Sequence, residues 1–216
     1  MFLLIWIIIK STIKLKWIFL EMEIFRNNKL IGFSNYIFKR KGDEIIIKNQ
    51  TKFKVKILGV TMFRVEGYGE EKYLKDQLIS YNSKTTQNDI EKYVNLNFVK
   101  DKNKFQIKGS SYNGEASVQN VIGNWWNHKI LQTDTQISPI SGSIKEQVVT
   151  FIGKEKINQY GKIFEVDHFT LKSKDMTLPK DKRLNFDIWY DSKNALISKI
   201  SYSRMGYWEY RLKNIK

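Results

Sequence analysis

Apolar and polar residues alternate along most of the chain, and this two-residue period predicts β-strands. The first alternating segment runs from about Ile13 to Ile24, and Asn27-Asn28-Lys29 follows it as a turn, because asparagine tolerates the left-handed backbone region. The same pattern predicts strands at about 31–39, 44–58, 60–65, 77–81, 93–99, 104–108, 148–157, 162–171, 183–190, 195–202 and 207–212. The connections are short, and short connections make neighbouring strands antiparallel.

These elements predict an all-β protein: a strongly curved antiparallel sheet of about ten strands, folded as an open barrel or half-barrel, since so many long strands must curl or split. The alternation stops between about Asn113 and Ile144. We expect a short helix near Asn127–Gln132 there, with the segment Trp125–Leu131 capping one end of the sheet. Gly67-Tyr68-Gly69 lacks the third glycine of a dinucleotide-binding loop and predicts a bulge or bend instead.

We divide the chain into an apolar N-terminal segment, residues 1–16, and one β-rich domain, residues 17–216. The run Phe2–Ile9 is too short to span a bilayer as a helix, which takes about 20 apolar residues. It matches the apolar part of a secretion signal in length, but it lacks a preceding positive charge and a small-x-small cleavage site. An uncleaved export signal or anchor, an extension upstream of the true start, and a buried strand remain as alternatives.

The composition supports a folded protein and limits its partners. A hydrophobic content of 42% and an aromatic content of 14% are enough for a sizeable core. The net charge of +15 comes mostly from lysines that alternate with apolar residues, as in Phe53-Lys54-Val55-Lys56-Ile57, which is typical of the solvated face of a strand. Attraction to an anionic envelope surface is the next interpretation, and nucleic acid is disfavoured because arginines, which suit its recognition, are few.

Two aromatic clusters are candidates for ligand binding. Trp125, Trp126, Asn127 and His128 combine apolar rings with an amide and an imidazole, as ligand pockets do. Trp189 and Tyr190, which enter the last hairpins, complete the candidate set. The alternative is structural: one tryptophan plugs the sheet and Asn127 caps the helix. Two adjacent tryptophans in a strand would point to opposite faces, so both can face one cavity only if the strand bends.

No pattern predicts catalysis, a metal site or a cofactor. The chain has no cysteine, and its two histidines lack metal-ligand spacing. His168 follows Asp167, but adjacent strand residues face opposite ways, which favours a structural histidine. A pair of carboxylates around Asp187 is likewise disfavoured. The aromatic residues of the last hairpin, Tyr202, Tyr207, Trp208 and Tyr210, favour cross-strand packing over a platform for single-stranded nucleic acid.

Five segments together resemble a known family. They are Asn27–Gly32, Lys56–Arg64, Trp126-Asn127, Ser138–Gly142 and Asp187–Asp191. In order and spacing they resemble the proteobacterial domain-of-unknown-function family 6134, over roughly residues 17–213. The resemblance implies export to the periplasm and carries no established activity. The last segment is also similar to envelope lipid carriers, in which a curved sheet surrounds an apolar cavity; this is an analogy of fold only.

We therefore expect a periplasmic or envelope-associated protein, with anchoring to the inner membrane by the N-terminal segment as the alternative location. The leading functional hypothesis is a non-enzymatic protein that binds an apolar or amphipathic, lipid-like molecule in the concave face. The second is a structural or protein-interaction module with a packed core. An enzyme with a scattered active site is the third. The sequence specifies neither the ligand nor the oligomeric state.

Overall fold

The computed structural model describes residues 18–216 and contains a single sheet of fifteen strands. The strands are β1 (Phe19–Arg26), β2 (Lys29–Lys41), β3 (Glu44–Ile57), β4 (Val60–Leu74), β5 (Gln77–Gln87), β6 (Ile90–Val99), β7 (Lys104–Gly109), β8 (Asn113–Ser117), β9 (Val121–Ile122), β10 (Thr135–Ile137), β11 (Ile144–Gln159), β12 (Lys162–Ser173), β13 (Asn185–Asp191), β14 (Leu196–Ser203) and β15 (Tyr207–Ile215). Single-turn 3₁₀ helices occur at Lys100–Lys102 and His128–Leu131. The apolar segment 1–16 and the start of the first predicted strand lie outside the described residues.

The predicted all-β, antiparallel class is confirmed, but the predicted number of about ten strands is wrong. Part of the difference is in the region without alternation, where three short strands, β8, β9 and β10, lie. Their pairing is set by distant partners rather than by a local pattern, so the two-residue period is weak there. In the part of the chain that the structure describes, no helix has the length and apolarity needed to cross a bilayer.

The sheet is one continuous ribbon that does not close. Its order runs from β8 through β7 down to β1, and then from β15 through β14 down to β9. The first and last strands therefore pair in the middle of the sheet, with Ile24 opposite Tyr210. All neighbours are antiparallel except β9 and β10. The two edge strands, β8 and β9, are separated by only three residues, 118–120. The two edges of the sheet are therefore formed by strands that follow one another in the sequence.

The main core lies on the concave face of this curved sheet. It takes alternate residues from most strands, such as Phe38 of β2, Phe105 of β7 and Ile188 of β13. Residues 118–143, which we call the plug, join β8 to β11 and pack into the same core. The plug contributes four buried apolar side chains to it, those of Ile122, Trp126, Ile130 and Ile137. The predicted short helix is present as the single turn His128–Leu131, and it lies within this packing rather than over the end of an empty sheet.

A bulge or bend was predicted at Gly67 and Gly69; strand β4 keeps its register through both glycines, so the bulge is wrong. The glycines have a different role, which is to leave room on the concave face. A Cβ atom at Gly69 would lie 3.1 Å from the Tyr81 hydroxyl oxygen. That hydroxyl donates a hydrogen bond to the carbonyl of Pro139 in the plug, at 2.9 Å. The glycine thus allows the sheet and the plug to make this contact.

A second, smaller core forms at one end of the sheet. We call this the hairpin end, because the β1–β2, β3–β4, β5–β6 and β14–β15 turns lie there. Its buried members are Ile24, Val55 and Trp208. Phe53 of β3 approaches Trp208 of β15 to 5.5 Å between ring centroids, although β2 and β1 lie between these strands. The sheet must curl sharply for that contact, and Gly32 of β2 lies at this point, where a Cβ atom would meet the Lys52 carbonyl at 2.1 Å.

Candidate functional site: an aromatic row at the hairpin end

Trp126, a predicted ligand-binding residue, is a core residue. It is 4% exposed, and its ring lies edge-on to Phe38 and Tyr73 at 5.6 Å and 6.0 Å between centroids. Its indole N–H donates a hydrogen bond to Glu71 Oε1 at 2.7 Å. A buried indole needs such an acceptor, so this bond fixes the orientation of the ring in the core.

Glu71 is the acceptor that attaches the plug to the sheet. The Asn124 amide donates to the same oxygen at 2.7 Å, and the Tyr73 hydroxyl donates to Oε2 at 2.6 Å. The carboxyl is 2% exposed, and this burial raises its pKa above the ordinary value despite the three donors. Sequence reasoning missed this residue, because an acid on a strand with many charged neighbours gives no local sign of burial.

Asn127 and His128 also have structural environments. The Asn127 side chain accepts a hydrogen bond from the Lys129 amide at 3.1 Å and so caps the 3₁₀ turn. The His128 ring stacks on Tyr190, with 5.4 Å between centroids, and burial lowers the pKa of the imidazole. A neutral imidazole stacked on a phenol belongs to the packing of the plug against β13.

Trp189 lies on the opposite face of the sheet from Tyr190 and from the plug. Its indole N–H donates to Glu155 at 3.0 Å, its ring stacks on His168 at 4.7 Å, and the Lys199 ammonium lies 4.4 Å from the ring centroid. The six predicted residues therefore do not form one site. Trp125, Trp126, Asn127, His128 and Tyr190 are on the concave side, and Trp189 is on the convex side.

His168 is held between two carboxylates from neighbouring strands. Its Nδ1 lies 2.6 Å from Glu155 Oε1 of β11, and its Nε2 lies 2.9 Å from Asp187 Oδ1 of β13. Both ring nitrogens are engaged, so neither is free to take a proton from a substrate. The adjacent Asp167 is not the partner; cross-strand register supplies the carboxylates instead. Within residues 18–216, no group of three or more histidine, aspartate or glutamate side chains could hold a metal ion.

Trp125 differs from its neighbours because it belongs to a continuous set of rings at the open part of the concave face. We call this set the aromatic row. Its members are Trp125, Phe186, Tyr202, Trp208, Phe53 and Phe63. Consecutive centroids are 5.1, 5.3, 5.8, 5.5 and 5.9 Å apart in that order. Trp208 is buried and the other five rings are half-buried, so the row forms both a core and a surface.

Strand register explains why the row forms. Tyr202 lies directly opposite Trp208 in the β14–β15 hairpin, and the two rings stack with planes only 7° apart. The predicted cross-strand packing of the last hairpin is thus confirmed for this pair. Burial raises the pKa of the Tyr202 phenol, and it raises the pKa of the neighbouring Tyr210 to about 12. The wall of the row is therefore aromatic and uncharged, and the Arg26 guanidinium lies 6.0 Å from the Trp208 centroid at its margin.

The span from β1 to β15 that builds the plug and the row also matches a family model, described as a domain of unknown function, DUF6134, over residues 22–213. The chain belongs to the DUF6134 family. The matched residues of this DUF6134 protein include the plug, the aromatic row and every strand except the ends of β1 and β15. The resemblance drawn from five short segments is thus confirmed.

A solved structure has a similar fold. It is the crystal structure of a β-barrel-like protein of the domain of unknown function DUF1849 from Brucella abortus. The two chains are 10% identical, with a TM-score of 0.62 over 92% of this DUF6134 chain and 95% of the other. At that identity the likeness shows a shared fold only. No curated protein matches the sequence.

Proposed function

We propose that this protein is a non-enzymatic envelope protein that binds the apolar part of an amphipathic, lipid-like molecule along the aromatic row. The observation that carries the proposal is the unbroken contact of six rings, five of them half-buried, beside the plug. Ligand sites of this kind have apolar and aromatic walls with a few polar groups that orient the ligand. A chain of rings suits an acyl chain, because each ring offers apolar area at little conformational cost.

The plug restricts where such a ligand can lie. Ile122, Trp126, Ile130 and Ile137 occupy the middle of the concave face, so an open cavity along the whole face is not available. At the hairpin end the wall is aromatic, and two positive charges lie beside it: Arg26 next to Trp208 and Arg204 next to Tyr202. An anionic headgroup at that margin and an apolar chain along the row would satisfy both features.

Two further observations support the envelope and non-enzymatic parts of the proposal. The family resemblance implies export. Both ring nitrogens of His168 are hydrogen-bonded to carboxylates, so neither is available for acid–base chemistry. An open groove of about 610 Å³ at the end of the sheet opposite the hairpin end is lined mainly by charged and polar residues, among them Lys156, Lys162, Glu165 and Lys193, and is a poor match to an apolar ligand.

The test is equilibrium binding of a fluorescent long-chain fatty acid and of a lysophospholipid, each kept below its micelle concentration. We expect Phe186→Ala and Phe63→Ala to weaken binding by about tenfold each, since losing a buried ring costs on the order of 1–2 kcal/mol of contact. Tyr68→Ala is the matched control, because Tyr68 is an aromatic residue on the convex face, 51% exposed. Absence of saturable binding, or equal affinity in all variants, would refute the proposal.

A structural or protein-interaction module is the second candidate, and the packing of the plug favours it. Gln147 donates hydrogen bonds to the Ile130 and Thr133 carbonyls at 2.8 Å and 2.9 Å, so the plug is held from the β11 side as well as by Glu71. Such a filled interior needs no ligand. Capture of a defined protein partner that is sensitive to salt and indifferent to lipid would support this function over ligand binding.

A further inference from the structure

The tip of the hairpin formed by β3 and β4 separates from the strands on either side of it. Strand β2 pairs with β3 only as far as Phe53, and β5 pairs with β4 only from Val65 onwards. In the strand ladders residues 54–64 therefore pair only with one another, over a length of about four residues, or ~13 Å. Val55 and Phe63 hold the base of this tip in the second core, whereas residues 57–62 beyond them are exposed.

The projecting tip exposes apolar side chains. Ile57, Val60 and Met62 are 47%, 62% and 56% exposed, and Leu58 at the turn is 99% exposed. Leu58 has φ of +49°, a backbone conformation that favours glycine or asparagine rather than leucine. The adjacent β14–β15 turn repeats this feature, because Met205 is 88% exposed and also has φ of +49°. Two turns at the same end thus present an apolar side chain to solvent at a position where the backbone disfavours it.

Unpaired positive charges surround these tips. Five cationic side chains at the hairpin end form no ion pair within residues 18–216: Arg26, Lys29, Lys54, Lys56 and Arg204. The acids in the same hairpins are already paired, Glu66 with Lys52, Asp89 with Arg64 and Glu91 with Lys84. The hairpin end therefore combines an apolar tip with an excess of positive charge that nothing nearby neutralises.

We propose that the β3–β4 hairpin docks on an anionic lipid bilayer by inserting Leu58 and its apolar neighbours between the headgroups. Apolar side chains enter the boundary between headgroups and acyl chains, and lysines around them meet the negative surface. A bilayer satisfies both features at once, without the shaped acceptor pocket that a protein partner would need. Docking goes beyond ligand binding, because it depends on the hairpin and not on the aromatic row, although it would place the row beside lipid.

The test is flotation of the full chain with vesicles of phosphatidylcholine containing about a third phosphatidylglycerol, and with phosphatidylcholine alone. We expect Leu58→Asp to weaken binding to the anionic vesicles by about tenfold or more, since burial of one leucine is worth at least that. Ile163→Asp is the matched control, because Ile163 is 72% exposed at the opposite end of the sheet. Leu58→Asn is a second variant. Asparagine is polar and suits the left-handed turn, so weaker vesicle binding by this variant cannot come from misfolding.

Charge is tested separately. The double variant Lys54→Gln with Lys56→Gln should lose about 25-fold in affinity for anionic vesicles, because each lysine near such a surface contributes about fivefold. The pair Lys39→Gln with Lys41→Gln removes the same charge at the opposite end and should change binding little. Equal binding of the hairpin variants and their controls would overturn the proposal. Loss of a lipid-free dimer in Leu58→Asp would also overturn it, because the tip would then cover a second copy.

The two proposals fail in different ways. Ligand binding to the aromatic row is measured with dispersed molecules and no bilayer, whereas docking is measured with bilayers and hairpin variants. Loss of vesicle binding in Leu58→Asp together with unchanged fatty-acid affinity would support docking alone. Any contribution of residues 1–16 to vesicle binding is common to all variants and cancels in the comparison.

Discussion

The plugged middle of the concave face and the hairpin end are built by the same sheet but held in different ways. In the middle, the plug is attached by directional bonds: Trp126 and Asn124 donate to Glu71, and Gln147 donates to plug carbonyls. At the hairpin end, Phe53, Phe63 and Trp208 meet one another through ring contacts, and the Trp208 indole N–H donates only to the Arg204 carbonyl of its own hairpin, at 2.8 Å. The first region specifies one arrangement, and the second leaves rings partly exposed.

The difference shows how one fold can separate stability from binding. A buried polar network must be fully satisfied, and when it is, it rigidifies its surroundings. Half-buried rings and exposed hairpin tips contribute less to the fold and keep apolar surface available. We therefore expect substitutions of the buried plug residues to change stability strongly, and substitutions in the aromatic row and at the hairpin tips to change binding more than stability.

The largest expected effect is that of Trp126→Ala, which would remove a core ring and leave Glu71 without one of its donors. We expect the free energy of unfolding to fall by about 3–5 kcal/mol, as for large core aromatics. Trp125 is the next residue along the chain but lies in the half-buried aromatic row, so Trp125→Ala should lower the free energy of unfolding by less than half as much. Urea denaturation of both variants measures the difference, and equal losses would contradict the proposed division between the two regions.

The pH dependence of stability sharpens the same comparison. Burial raises the pKa of Glu71, so the folded protein keeps this proton at pH values where the unfolded chain, with a pKa near 4.5, has lost it. The stabilising contribution is present below the unfolded pKa and is lost as pH rises towards the folded pKa. We expect Glu71→Gln, which mimics the protonated form, to gain stability relative to the natural protein as pH rises from about 4 to about 8. Each unit of pKa shift corresponds to about 1.4 kcal/mol.

Urea midpoints of the two proteins across this pH range measure the effect. Glu165→Gln serves as the control, since Glu165 is an exposed carboxylate paired with Lys193. A stability difference between Glu71→Gln and the natural protein that stays constant with pH would show that Glu71 titrates normally and does not hold the plug as a neutral acid.

Sequence patterns predicted the strands well because the two-residue period directly reflects which face is buried. They also located the plug, since the alternation stops there and a short helix near residue 128 follows. They could not assign Trp126 to the core and Trp125 to the aromatic row, because the acceptor that orients Trp126 lies 55 residues earlier in the chain. A local pattern carries no information about that partner.

The aromatic row was only partly predictable for the same reason. The stacking of Tyr202 on Trp208 follows from one hairpin, and sequence analysis anticipated it. Phe53 and Phe63 were missed, because they reach Trp208 only when the sheet curls across two intervening strands. Gly32 was the available sign of that curl, but a single glycine in a strand does not reveal which rings will meet there.

A smaller effect is expected for coupling within the aromatic row. Tyr202→Ala and Trp208→Ala each remove one member of the stacked pair, and a double-mutant cycle should yield a coupling free energy of about 0.5–1.5 kcal/mol. Thermal or urea unfolding of the four proteins measures it. Tyr68 and Tyr202 lie on opposite faces of the sheet, so the same cycle with Tyr68→Ala and Tyr202→Ala should give a coupling free energy near zero and serves as the control. A coupling near zero for Tyr202 and Trp208 would mean that the row is a set of independent contacts.

The smallest predicted effect concerns the turn of the projecting hairpin, and its sign is favourable. Leu58 and Gly59 both have positive φ, of +49° and +82°, as in the tight turns for which Asn-Gly is preferred. Replacing Leu58 by asparagine should raise the free energy of unfolding by up to about 1 kcal/mol, because leucine is strained there and makes no compensating burial at 99% exposure. Urea denaturation checks the gain, and Leu30→Asn, at an exposed position of β2 at the same end, shows the effect of the added amide alone.

A loss of stability in Leu58→Asn would show that the leucine supports the hairpin. A gain in stability combined with weaker vesicle binding would show that this end of the sheet retains a destabilising residue for a contact outside the fold.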